Sequence, residues 1–413
     1  MRPRSILLAV SAVIVVGATG WPPAASQSLP PPTPVPPAGS PSPYPTSLET
    51  PVPSAEPPRV TAAAAALGDL DTGELLWQRR AKERRPIASV TKIMTALLVL
   101  ETSDPGELVT VGPNAASQSG AELGLEAGER LPIRDLLLAL MLQSANDAAV
   151  ALAEHVAGSV EAFVEGMNRR ARELGLGDTR FASPNGLDDS GYSTARDLVV
   201  LTTEAFATPG FEDIVSTRFH RVRAPDGESR RIQNRNALLW LYPGAIGVKT
   251  GYTTVAGFCL VAAAERDGLR LVSVALGAPG EAFTDAAVIL NHGFAGFERR
   301  IVIAEGQPLE PIEVEGHRVE VVAAGGIEAR LRRGQPVTLE VRTEPGVRLP
   351  IDAGDPVGQV VATAGDASLG EAPVVAEAAV RRTRPPVEEP AWWERALDSV
   401  GRFFVRVLRA IFG

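Results

Sequence analysis

In the stretch Ala88-Ser89-Val90-Thr91-Lys92 a hydroxyl precedes an amine by three residues at the start of a helical pattern, a spacing that puts both on one helix face. A serine hydroxyl is a weak nucleophile until a neighbouring base takes its proton. A lysine amine becomes such a base once burial or a second cation lowers its pKa from about 10.4. The chain carries 40 Lys plus Arg, yet only three of these are lysines: Lys82, Lys92 and Lys249. Arginine supplies the ordinary surface charge, so the amine at position 92 reads as a group that must lose a proton, which a guanidinium does not do. Taken alone, Ser-x-x-Lys also describes an N-cap serine followed by a surface lysine.

Two more clusters share this character. Ser144-Ala145-Asn146 follows the apolar run of residues 136–143, where a hydroxyl can relay a proton and an amide can hold a peptide carbonyl; capping of the next helix is the plainer reading. Lys249-Thr250-Gly251, followed by Tyr252, closes an apolar strand pattern, and a glycine there lets an extended peptide approach the sheet edge. The plainer reading is a strand-end lysine before a turn. In combination the three carry more weight, because Ser-x-x-Lys, Ser-x-Asn and Lys-Thr-Gly occur in order and use two of the three lysines. Penicillin-binding proteins and class A β-lactamases share that set.

The elements that must position these groups are a hairpin within residues 60–80, helices over 89–101, 133–157 and 161–174, and a helix near Arg196. Strands follow around Ile232 and over 245–249, 258–264 and 269–276, and then a helix over 283–296. Residues 62–66 are an alanine run that favours helix by propensity, but the Asp-Thr-Gly turn beside it argues for a strand. Strands at both ends with helices between predict one mixed α/β sheet covered by helices. The predicted organisation is a signal peptide at 1–25, a proline-rich linker at 26–58, a catalytic domain at 59–298 and a β-rich domain at 303–382. A linker at 383–390 leads to an amphipathic helix at 391–413.

The segments at residues 84–98, 144–159, 181–198 and 247–268 resemble the D-alanyl-D-alanine carboxypeptidases, the low-molecular-weight penicillin-binding proteins of the S11 type. The resemblance implies a serine β-lactamase/penicillin-binding-protein-like domain with the family's β-rich C-terminal domain. It implies Ser89 as nucleophile, Lys92 as general base and Ser144 as proton relay. Asn146 would hold the peptide, Lys249 and Thr250 the terminal carboxylate beside Gly251, and the backbone N–H groups of Ser89 and Tyr252 the oxyanion. The implied partners are a peptidoglycan stem peptide, β-lactams as covalent inhibitors, and the outer face of the cytoplasmic membrane through the terminal helix. One departure stands out: many relatives carry a carboxylate-binding arginine where this chain reads Gly280-Glu281-Ala282-Phe283.

Other chemistries lack their residues. The histidines His155, His220, His292 and His317 are scattered and there is no His-Glu-x-x-His, so neither a Ser-His-Asp triad, a metal nor another cofactor is expected. Cys259, the single cysteine, sits in an apolar strand and reads as core. A net charge of −9 without a basic stripe argues against nucleic acid. The alternatives are a class A-like β-lactamase, which lacks support because Glu165-Gly166-Met167-Asn168 is only a mis-spaced version of the deacylating segment, and a non-catalytic cell-envelope binding protein.

Overall fold

The computed structural model describes residues 56–223, 229–280, 282–382 and 392–412. The expected signal peptide, all but the end of the first linker, and the linker at 383–390 lie outside the described residues.

Five antiparallel strands form the central sheet: β1 (Ala64–Asp69), β2 (Leu75–Arg79), β3 (Ala245–Thr253), β4 (Gly257–Arg266) and β5 (Leu269–Ala278), in the order β2-β1-β5-β4-β3. The alanine run is strand despite its propensity, because β1 lies between two neighbours and is buried on both faces. Small side chains let helices pack closely against both sides of it, and burial outweighs a helix preference of a few tenths of a kcal/mol per residue.

The two-residue period sorts β4 between two cores. Cys259, Val261 and Ala263 join the cluster containing the central helices, while Phe258, Leu260 and Ala262 join the opposite one. On the first face lie α1 (Lys92–Thr102), α2 (Ile133–Leu138), α3 (Asn146–Ala157), α4 (Val160–Glu173) and α5 (Ala195–Ala207). On the second lies α6 (Ala282–Gly296), which contributes Phe283, Ala286, Ile289 and Leu290. Each fully buried Leu, Ile or Phe contributes about 1.5–3 kcal/mol. This is the expected mixed α/β arrangement.

One expectation fails. Residues 133–157 are not one helix: α2 passes into a π-helical stretch, Ala139–Gln143, Ser144 turns left-handed at φ 66°, and α3 starts afresh at Asn146. The hydrophobic pattern runs on, but backbone groups near the break find partners elsewhere. Asn146 N–H donates to the Ala121 carbonyl at 2.7 Å, and the Leu142 carbonyl accepts from Arg235 N–H at 2.9 Å. π-helical interruptions of this kind often mark functional sites.

Beyond α6, β6 (Phe297–Ile303) pairs with β7 (Ile327–Arg332), and four further strands form an antiparallel sheet around Val360, Ala362 and Val374. The Asp-Thr-Gly turn joins this region to the first sheet. One Asp69 oxygen accepts from the N–H groups of Asp71 and Thr72, and the other pairs with Arg330 at 2.8 Å. The last helix, α7 (Trp392–Phe412), exposes Trp393, Leu397, Val400, Phe404, Leu408 and Ile411. Among the described residues no helix is long and apolar enough to cross a membrane.

Candidate active site

Ser89 sits in a short 3₁₀ turn, Ala88–Thr91, that leads directly into α1. Three residues per turn place positions i and i+3 directly above one another, and Lys92 Nζ lies 2.9 Å from Ser89 Oγ. The turn is held in an unusual shape. Ala88 has φ 47°, a left-handed conformation that costs about 1–2 kcal/mol for a residue with a Cβ. Two glycines clamp it: a Cβ on Gly186 would lie 2.0 Å from the Ala88 carbonyl oxygen, and one on Gly251 would lie 2.9 Å from that of Ile87 and 3.1 Å from Ser89 N. Gly186 also has φ 78°, so Gly186→Ala combines backbone strain with a collision against the turn that carries Ser89. Displacing a reacting group by about 1 Å costs about 10²-fold in rate, and that loss in kcat is the expected outcome for Gly186→Ala in a steady-state assay.

Lys92 is fully buried. Besides Ser89 it contacts Asn146 Oδ1 at 2.9 Å and the Asn185 carbonyl at 2.6 Å. Both amide oxygens are obligate acceptors. A neutral amine has two N–H donors and one lone pair, so donating to both amides leaves the lone pair facing the Ser89 hydroxyl. Burial, then the charges of Lys249 and Arg235, hold the Lys92 pKa well below the usual lysine value, against an opposing pull from Asp147. The same hydroxyl lies 3.4 Å from the Asn185 carbonyl.

Asn146 and Ser144 reach the cleft because the helix break is strapped from outside. Asn146 Nδ2 donates to the Ser119 carbonyl at 2.9 Å, and Asp147 accepts from the N–H groups of Leu123, Gly124 and Leu125. Gln143 Nε2 donates to the Glu122 carbonyl at 2.7 Å. Loop 119–125 is thereby fixed along the cleft, and its Gly120 and Ala121 form part of the wall.

The opposite wall is β3. Thr250, Gly251 and Tyr252 line a cleft of about 210 Å³ together with Ser89, Ser144 and Asn146. Lys249 is buried, donates to the Thr250 carbonyl at 2.9 Å, and has its pKa lowered to about 7 by burial and by the Arg235 charge.

The predicted residues thus gather in one place. Two contributors were missed. Asn185 acts through a backbone oxygen, which no residue type announces; Thr95 Oγ1 anchors its loop to α1 through the Pro184 carbonyl at 2.6 Å. Arg235 lines the cleft from the segment after Ile232, flanked by Asn234 and Asn236, and nothing in its type distinguished it from the many other arginines. Ala282 and Phe283 line the cleft where relatives were expected to carry an arginine, and Glu281 lies outside the described residues. Cys259 is buried at the base of the cleft with its thiol pKa pushed up to about 11, which disfavours the thiolate.

A helix-borne serine and lysine set against the edge strand of a helix-covered antiparallel sheet define the serine β-lactamase and penicillin-binding-protein fold class. Residues 52–280 match the D-alanyl-D-alanine carboxypeptidase family, Peptidase S11. The chain is 33% identical over 330 residues to the D-alanyl-D-alanine carboxypeptidase DacF of Bacillus subtilis (strain 168), covering 76% of this chain and 85% of that one. Among solved structures, penicillin binding protein 6B from Escherichia coli superposes with a TM-score of 0.61 at 28% identity, covering 78% of this chain and 98% of that one. Penicillin binding protein 5 from Haemophilus influenzae gives 0.59 at 29%, covering 79% and 99%. The chain belongs to the D-alanyl-D-alanine carboxypeptidase family and is a serine-type carboxypeptidase.

Proposed function

We propose that the enzyme removes the terminal D-alanine of peptidoglycan stem peptides through an acyl-enzyme on Ser89, and that β-lactams acylate the same oxygen. The observation that carries this reading is the Lys92 amine, 2.9 Å from Ser89 Oγ, with both its N–H donors matched to amide oxygens. Lys92 takes the hydroxyl proton as Oγ attacks the penultimate carbonyl. The N–H groups of Ser89 and Tyr252 receive the oxyanion, each worth about 3 kcal/mol. Ser144 passes the proton to the leaving amine, D-alanine departs, and water hydrolyses the ester.

Asn146 orients the peptide, and Thr250 with Lys249 binds the terminal carboxylate in the positive field of Arg235. Among the described cleft-wall residues none is Asp or Glu, and Glu165 is exposed on α4, which favours a carboxypeptidase over a class A β-lactamase. The test is release of free D-alanine from a peptide ending in D-Ala-D-Ala; a protein that hydrolyses penicillin rapidly and releases none is not what this reading describes.

The enzyme is exported and rests on the outer face of the cytoplasmic membrane through α7. The exposed apolar face of that helix suits the acyl boundary, and Arg402, Arg406 and Arg409 suit anionic headgroups. At about 1 kcal/mol per arginine near the surface, these three contribute roughly 100-fold in vesicle affinity. Deleting residues 383–413 is expected to move the protein from the pellet to the supernatant in cosedimentation with anionic vesicles, with D-alanine release from a soluble peptide unchanged.

A further inference from the structure

One side of the cleft is apolar. Phe258, Leu260, Ala282 and Phe283 all line it, and all four belong to the core cluster on the α6 face of the sheet. The polar groups Ser89, Ser144, Asn146 and Arg235 come from the opposite side, and no charged residue enters from the α6 side among the described residues. Thr250 stands at the boundary. In the β3–β4 register it lies opposite Leu260, and Tyr252 lies opposite Phe258, with the two rings 4.4 Å apart. Side chains two apart on a strand share a face, so the Thr250 side chain projects from the same face of β3 as Tyr252. If Thr250 holds the terminal carboxylate, as the proposed function has it, the residue bearing that carboxylate lies beside this chamber. The cleft as a whole holds about 210 Å³, and the four apolar side chains on this side of it offer more wall than a D-alanine methyl covers.

We infer that the chamber formed by Phe258, Leu260, Ala282 and Phe283 is a subsite for the side chain of the departing C-terminal residue. The enzyme therefore releases D-residues with apolar side chains larger than a methyl, such as D-leucine and D-methionine, from peptidyl-D-alanyl-D-residues. The chemistry is unchanged. Ser89 Oγ bonds to the penultimate D-alanyl carbonyl carbon, the C–N bond to the last residue breaks, its amine takes the proton, and water restores the serine.

The experiment compares kcat/KM for two N-acylated peptides differing only in their last residue, D-Ala-D-Ala and D-Ala-D-Leu, by detecting the free D-amino acid. The D-leucine peptide is expected to match or exceed the D-alanine peptide. Ala282→Leu, which fills the chamber, is expected to lower the D-Leu to D-Ala ratio by about 10-fold or more. Phe283→Ala, which enlarges it, is expected to raise the same ratio for a D-phenylalanine peptide, and this guards against loss of folding in the first variant. Release of D-alanine with D-leucine release below about a hundredth of it, or ratios unmoved by both variants, overturns the subsite while leaving the carboxypeptidase reading intact. Release of neither amino acid overturns both.

Discussion

Ser89→Ala is expected to lower D-alanine release by about 10⁴-fold or more and to abolish penicillin labelling, while the melting temperature stays close to that of the parent. The size of the kinetic effect follows from chemistry that has no substitute: without Oγ there is no acyl-enzyme, and the remaining cleft only binds and polarises the peptide. The small effect on stability follows from the geometry. Oγ makes one contact at 2.9 Å with Lys92 and one at 3.4 Å with the Asn185 carbonyl, and Lys92 retains its two amide partners when the hydroxyl is gone. Initial rates and thermal melts on the same preparation check both. Retention of more than a tenth of the activity would place the nucleophile elsewhere.

Lys92 is the second decisive position. Lys92→Arg keeps a cation but removes the capacity to take a proton, and Lys92→Met keeps length and volume without charge, which suits a fully buried site. Both are expected to lower kcat by about 10³-fold, and the methionine variant is the one expected to fold normally. The pH profile of the parent tests the same point. In the proposed mechanism Lys92 acts as a base only when neutral, so the rate is expected to rise with pH through its depressed pKa. In its proposed role Lys249 binds a carboxylate only when charged, so kcat/KM is expected to decline as pH climbs past its value of about 7. Bound carboxylate favours the charged form, so the alkaline limb of kcat falls at higher pH than that of kcat/KM. In Lys92→Met the acid limb disappears and the alkaline limb remains.

Much of the site was legible because its proposed chemistry is tied to residue type: a titratable amine had to be one of three lysines, and of these Lys92 contacts Ser89 and Lys249 is near enough to lower the Lys92 pKa. The first hairpin was legible from the Asp71-Thr72-Gly73 turn, which pointed to strand where the alanine run by itself favoured helix. The break between α2 and α3 was hidden, because Leu140, Met141 and Leu142 continue the apolar pattern while the partners that open the helix, Ala121 and Arg235, are distant in sequence. Asn185 was hidden for a different reason: a backbone carbonyl is common to every residue, and only the fold selects which one faces an amine.

The strained Ala88, the two clamping glycines and the strapped helix break all serve to hold one hydroxyl against one buried amine. The most direct test is the intact mass of the protein after brief exposure to penicillin, followed by peptide mapping. A single adduct of one penicillin mass on the peptide containing Ser89 is the expected result. An adduct on Ser144 or any other residue, or an unmodified protein that still releases D-alanine, would contradict the account.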